Sequence, residues 1–164
     1  MEFRIETMTV SHWEKVRSIY EEGIASGVAT FETSAPSFER WDASHLPHSR
    51  IVARGADLLG WAALSPVSSR ACYAGVAEVG IYVARAARSQ GVGTALLHGL
   101  IDSAEAHGIW TLQGATIAEN APSLALQARC GFRVVGRRER IAKLGSSWRD
   151  TILTERRSRH VGVD

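Results

Sequence analysis

The chain has 164 residues and a mass of 17.8 kDa, enough for one globular domain that buries about two thirds of its unfolded surface. Its 45% hydrophobic and 22% charged residues match ordinary globular domains, and a net charge of +2 does not call for a nucleic-acid partner. No apolar run reaches the ~20 residues of a membrane span, and "MEFRIETMTV" lacks the features of a signal peptide, so a cytoplasmic protein without membrane contact is expected. Cys72 and Cys130 form no C-x-x-C pair and have no histidines nearby at ligand spacing, which predicts two reduced structural thiols and no metal.

In chain order, "FRIETM" (Phe3 to Met8) alternates as a strand does. Thr9 or Ser11 is placed to cap a helix running to about Ser26, with Val10, Trp13, Val16, Ile19 and Tyr20 on one face. A glycine- and proline-bounded connection leads to a short helix from Ser37 that carries Phe38, Trp41 and Leu46. "RIVARG" and "DLLGWAALSPV" read as a hairpin turning at Gly55-Ala56-Asp57, and "GVAEVGIYVA" as the next strand. A helix from about Gly91 to His107 ends at Gly108, where a left-handed cap is expected. "IWTLQGATI" is a strand, "NAPSLALQARC" a helix ending at Gly131, and "FRVVGRRERIA" and "SWRDTILTE" are the final strands. The order βα(α)βββαβαββ predicts a mixed α/β fold with helices packed on one sheet, in a single domain over residues 1–157. The basic tail 158–164 is expected to fray.

The informative stretch is "EVGIYVARAARSQGVGTALLHGL", Glu78 to Leu100: a strand, a glycine turn and a helix N-terminus. It lacks the Gly-Lys of a P-loop, and the G-x-G-x-x-G of a dinucleotide fold does not fit either. What remains is Arg88-Ser89-Gln90-Gly91-Val92-Gly93. The first amides of a helix have no internal partner, and its dipole is positive there. Glycines let those amides close on phosphate oxygens, and Arg85 and Arg88 add charge. An ordinary strand-to-helix turn with solvated arginines would show the same spacing.

Within that strand Glu78 shares a face with Gly80 and Tyr82, whereas Val79, Ile81 and Val83 point the other way. An acid in so apolar a run either reaches solvent at a sheet edge or does chemistry.

Together with "ATFET", "LGWAAL", "AEVGIYV", "ENAPSLALQARCGF" and the late "WRD", the R-x-x-G-x-G turn resembles the GNAT superfamily of N-acetyltransferases, and within it the phosphinothricin N-acetyltransferase group. The resemblance spans about Tyr20 to Asp150. It implies a central, mostly antiparallel sheet splayed at an acetyl-CoA site by a bulge, with acetyl-CoA as co-substrate and no metal. It assigns the pyrophosphate to Arg88 and the amides of Gln90, Gly91, Val92, Gly93 and Thr94, the pantetheine arm to the strand around Ile81, Tyr82 and Val83, and further cofactor contacts to Asn120 and Ser123. Glu78 matches the group's general base. Substrate contacts fall to Phe31, Glu32, Arg70 and Tyr73, with Arg70 pairing the carboxylate or phosphinate of a small amino-acid-like acceptor. A homodimer is also implied.

A general base is needed because an ammonium cannot attack a thioester before it loses a proton. Direct transfer from an α-amino group of pKa ~8 to a carboxyl of pKa ~4.3 climbs about 5 kcal/mol, so a water relay beside Glu78 is expected. Two positions depart from the group. Gln127 stands where relatives carry a tyrosine or histidine able to protonate the leaving thiolate, and glutamine is no acid. "KLGSSWRD" offers no histidine before its tryptophan. A peptide or protein N-acetyltransferase, or a non-catalytic coenzyme A sensor, would share the fold.

Overall fold

The computed structural model describes residues 1–164. Its elements are β1 (Arg4–Thr7), α1 (Trp13–Ser26), α2 (Phe38–Ser44), β2 (Ile51–Arg54), β3 (Leu58–Pro66), β4 (Val76–Val83), α3 (Val92–Ala106), β5 (Thr111–Ile117), α4 (Ala121–Arg129), β6 (Arg133–Leu144) and β7 (Ser147–Arg157). One seven-stranded sheet runs β1-β2-β3-β4-β5-β7-β6. Every pairing is antiparallel except β4 with β5, the one pair whose connection is a full helical crossover.

The alternation of each strand divides the core between two faces. Ala77, Val79, Ile81 and Val83 of β4 pack with Leu96, Leu97 and Leu100 of α3. On the other face Trp61 of β3 and Tyr82 pack with Trp13, Val16, Ile19 and Tyr20 of α1 and Trp41 of α2. Aromatic contacts tie this second layer together: Trp61 stacks on Tyr82 at 4.7 Å, and Tyr20 meets Tyr82 edge-on at 4.7 Å.

Local signals set the helix ends. Thr9 precedes a single 3-10 turn, Val10–His12, and α1 begins at Trp13. Val10 therefore lies on that turn and is exposed, not on the apolar face expected for it. Ser37 caps α2 by accepting from Arg40 N, and Gly108 takes φ +78 after α3.

Three further expectations differ. Cys72 is exposed on the loop before β4, and only Cys130 is buried. The tail does not project freely: Ser158 is buried, its amide donates to the Trp110 carbonyl, and Arg157 Nη1 donates to the carbonyls of Ser158 and Val161. The expected bulge in β4 is missing, since its register with β3 runs unbroken from Ala77 opposite Pro66 to Val83 opposite Gly60.

Candidate active site

The sheet opens without that bulge. β4 and β5 pair only at Val76–Thr111, Ala77–Leu112 and Glu78–Gln113, and beyond Glu78 their ladder stops. From there β4 stays with β3, and β5 stays with β7 as far as Ile117 opposite Thr151. A cleft of ≈ 1240 Å³ occupies the gap.

At one end of the cleft lies the N-terminus of α3. Gly91 takes φ +82 and Ser89 takes φ +59, so the chain coils through two left-handed residues before the helix starts. The first helical bond of the turn is Ala95 N to Gly91 O, which leaves the amides of Val92, Gly93 and Thr94 with no carbonyl one turn back. Gly91, Gly93 and Thr94 line the cleft, and so does Arg88, whose Nε donates to Val83 O at 3.3 Å. Two expected contacts are limited to backbone. The Gln90 side chain turns back to donate to Ala86 O, and the Val92 side chain is buried in the core. The result is a backbone nest with a nearby cation, the arrangement that holds phosphate.

Ile81, Tyr82 and Val83 form the β4 wall of the gap. Across it, Asn120 lines the cleft and caps α4 by accepting from Ser123 N at 3.3 Å. Ser123 lines the same wall.

Glu78 sits at the mouth of the splay, on an interior strand and not at an edge. Gln113 Nε2 donates to its Oε1 at 3.0 Å, and Ser65 lies directly opposite it on β3. Gln113 went unnoticed in the sequence because only strand register brings it to Glu78.

On the same side, Phe31 and Glu32 from the α1–α2 connection line the cleft with Tyr20, Trp41, His45 and Trp61. Burial pushes the Tyr20 and Tyr82 phenols up and the His45 imidazole down, so all three are neutral near pH 7. His45 Nδ1 donates to Trp41 O at 2.7 Å, which leaves Nε2 as an acceptor. His45 too was unforeseen, since nothing local to it signals a site.

Arg70 and Tyr73 are not brought into the cleft. They pair with each other on the exposed loop before β4, guanidinium over ring at 5.6 Å. Arg138 is one cation on Glu78's face of the sheet: it is opposite Thr151, which is opposite Ile117, and Ile117 lies on the Gln113 face of β5. Arg138 and Thr151 both line the cleft. A two-residue bulge in β6 follows Arg138, pinned where Asp150 accepts from Arg140 N at 2.8 Å and from Arg137 Nε at 2.7 Å. The basic run "GRRER" is visible in the sequence, but which of its arginines lines the cleft depends on the register.

A parallel strand pair thus parts at a carboxylate, beside a helix start whose amides lack partners. Residues 13–132 match the acetyltransferase (GNAT) family, and the chain belongs to it. The chain is 31% identical to a phosphinothricin N-acetyltransferase of Alcaligenes faecalis, over 86% of this chain and 75% of that one. It is 33% identical to a Streptomyces coelicolor protein of the same name, over 79% of this chain and 82% of that one. A phosphinothricin acetyltransferase from Sinorhizobium meliloti in complex with AcCoA shares the fold, with a TM-score of 0.89 at 24% identity, covering 100% of this chain and 92% of that chain. The protein is an acetyltransferase.

Proposed function

We propose that this protein transfers acetyl from acetyl-CoA to the amino group of a small amino-acid-like acceptor of the phosphinothricin or methionine sulfoximine type. The observation that carries the reading is the end of the β4–β5 ladder at Glu78, which places a carboxylate at the entrance of a gap leading to a phosphate nest.

When bound, acetyl-CoA supplies the activated acetyl group. The amides of Val92, Gly93 and Thr94, with Arg88, hold its pyrophosphate, as those of Gln90 and Gly91 do. The backbone of Ile81, Tyr82 and Val83, with Asn120 and Ser123, holds its pantetheine arm. Glu78, held by Gln113, attracts the acceptor's ammonium and accepts its proton through a water. The neutral Tyr20 and Tyr82, backed by the buried Trp41 and Trp61, give the acceptor an apolar wall, and Phe31 and Glu32 close it from the α1–α2 side. Arg138, which lines the cleft on the face that carries Glu78, meets the acceptor's anionic end in this reading, a role that the position of Arg70 does not support.

The outer edge of the sheet supports a homodimer, because β6 is unpaired on one side and exposes Val134, Val135 and Ile141. A cytoplasmic location fits a protein in which no helix is long and apolar enough to cross a membrane.

The test is thiol release from acetyl-CoA with phosphinothricin, methionine sulfoximine, other amino acids, polyamines and short peptides. Turnover concentrated on the first two supports the reading. Turnover confined to peptides would replace it.

A further inference from the structure

Gln127 occupies the position of the missing acid, and its surroundings are built. It is 5% exposed, on the face of α4 that meets β5 and β7. A Cβ on Gly114 would lie 2.6 Å from Gln127 Oε1 and 2.7 Å from Thr154 Oγ1, so the carboxamide fills the room that this glycine leaves. Thr154 Oγ1 donates to Gln127 Oε1. Gln127 Nε2 donates both of its protons, to Thr116 Oγ1 at 2.8 Å and to Ser123 Oγ at 3.1 Å. Each of these hydroxyls has therefore accepted a bond, and each keeps its own proton without a protein acceptor. Both Thr116 and Ser123 line the cleft where β4 and β5 have parted.

We propose that Gln127 is a positioning residue that turns the hydroxyl protons of Ser123 and Thr116 into the gap, where they hydrogen-bond the coenzyme A sulfur as it leaves. This rests on the acetyl-CoA reading above. The acceptor nitrogen's lone pair forms the C–N bond, the C–S bond breaks, and its electron pair stays on sulfur. The amine proton leaves through the water beside Glu78. Neither hydroxyl gives up its proton, because an alcohol is a far weaker acid than a thiol of pKa ~8.5. They hold the thiolate by charge-assisted hydrogen bonds until water protonates it. A chain without the usual acid thus keeps two donors at the leaving group.

The test needs no turnover. Coenzyme A bound to the full-length protein is titrated by its thiolate ultraviolet absorbance, with desulfo-coenzyme A as the blank so that Cys72 and Cys130 cancel. Bound thiol is expected to ionise at lower pH than free coenzyme A. Ser123→Ala and Gln127→Leu are each expected to leave about tenfold less thiolate at a given pH, and Ser123→Thr to behave as wild type. The response of Gln127→Leu, which removes no group from the sulfur, identifies a positioning role. Should that variant not fold, the Ser123→Ala/Thr116→Val pair reads the same quantity. Coenzyme A that binds but ionises identically in wild type and that pair would overturn this proposal alone, showing that the hydroxyls donate inward to Gln127. Failure of wild type to bind coenzyme A would overturn the acetyl-CoA reading and this proposal together.

Discussion

Gln113 Nε2 donates to Glu78 Oε1 at 3.0 Å across the last paired rung between the two parallel strands. The same register that ends the ladder thus fixes the orientation of the carboxylate facing the gap. Hydrogen bonds to charged groups are worth about 1.5–3 kcal/mol. Gln113→Leu is therefore expected to lower kcat/KM about tenfold or more without changing acetyl-CoA affinity. Steady-state kinetics beside a binding titration check both halves.

Gly91 and Gly93 are expected to fail for different reasons. A Cβ at Gly91 meets nothing within 4 Å, but its φ of +82 strains any other residue by about 1–2 kcal/mol. A Cβ at Gly93 would stand 3.2 Å from Leu126 Cδ2 at the wall of the cleft. Gly91→Ala should lower thermal stability, whereas Gly93→Ala should mainly weaken acetyl-CoA binding. Calorimetric melting and titration of the two variants separate the effects.

Gly114→Ala drives a methyl into the Gln127–Thr154 hydrogen bond, with contacts of 2.6 and 2.7 Å to the two oxygens. Overpacking of this kind costs about 1–3 kcal/mol, and here it also breaks a buried polar network. Chemical denaturation should show the loss in full, because the contacts are to side chains anchored on α4 and β7.

Much of this was legible beforehand. The glycine turn, the strand of Glu78 and the cap at Asn120 are local signals, and most elements stand where periodicity places them, although α1 starts after Val10 and α2 ends before Leu46. What stayed hidden depends on pairing between distant segments. Gln113 reaches Glu78 by parallel register, and Arg138 comes to the cleft through the ladder from Ile117 to Thr151, ahead of the bulge pinned by Asp150. The family resemblance assigns Arg70 as the acceptor's cation, but the loop turns it over Tyr73. No spacing rule foretells that.

The contrast between those arginines gives a direct prediction. Arg138→Gln is expected to raise KM for acceptors bearing a carboxylate or phosphinate about tenfold, while Arg70→Gln leaves it within twofold, because of the two only Arg138 lines the cleft. An uncharged amine acceptor should respond to neither.

The stacked rings of His48 and His107, with centroids 4.2 Å apart, join the loop before β2 to the end of α3. Burial first, then His107 and Arg50, hold His48 below the ordinary histidine value. Its folded pKa is thus the lower one, and protons favour the unfolded chain. The contribution is complete above the unfolded value of about 6.5 and is lost as pH falls through the folded one. Melting temperature should decline below that pH, and His48→Asn should flatten the decline.

The measurement that bears most directly on the central claim is kcat/KM against pH for wild type and Glu78→Gln, with acetyl-CoA and phosphinothricin or methionine sulfoximine, alongside acetyl-CoA affinity. A loss of about a hundredfold or more, no remaining acidic limb and unchanged affinity are predicted for a general base acting through water. Equal rates and the same pH profile in both proteins would contradict the account, because the carboxylate at the mouth of the gap would then have no part in the transfer.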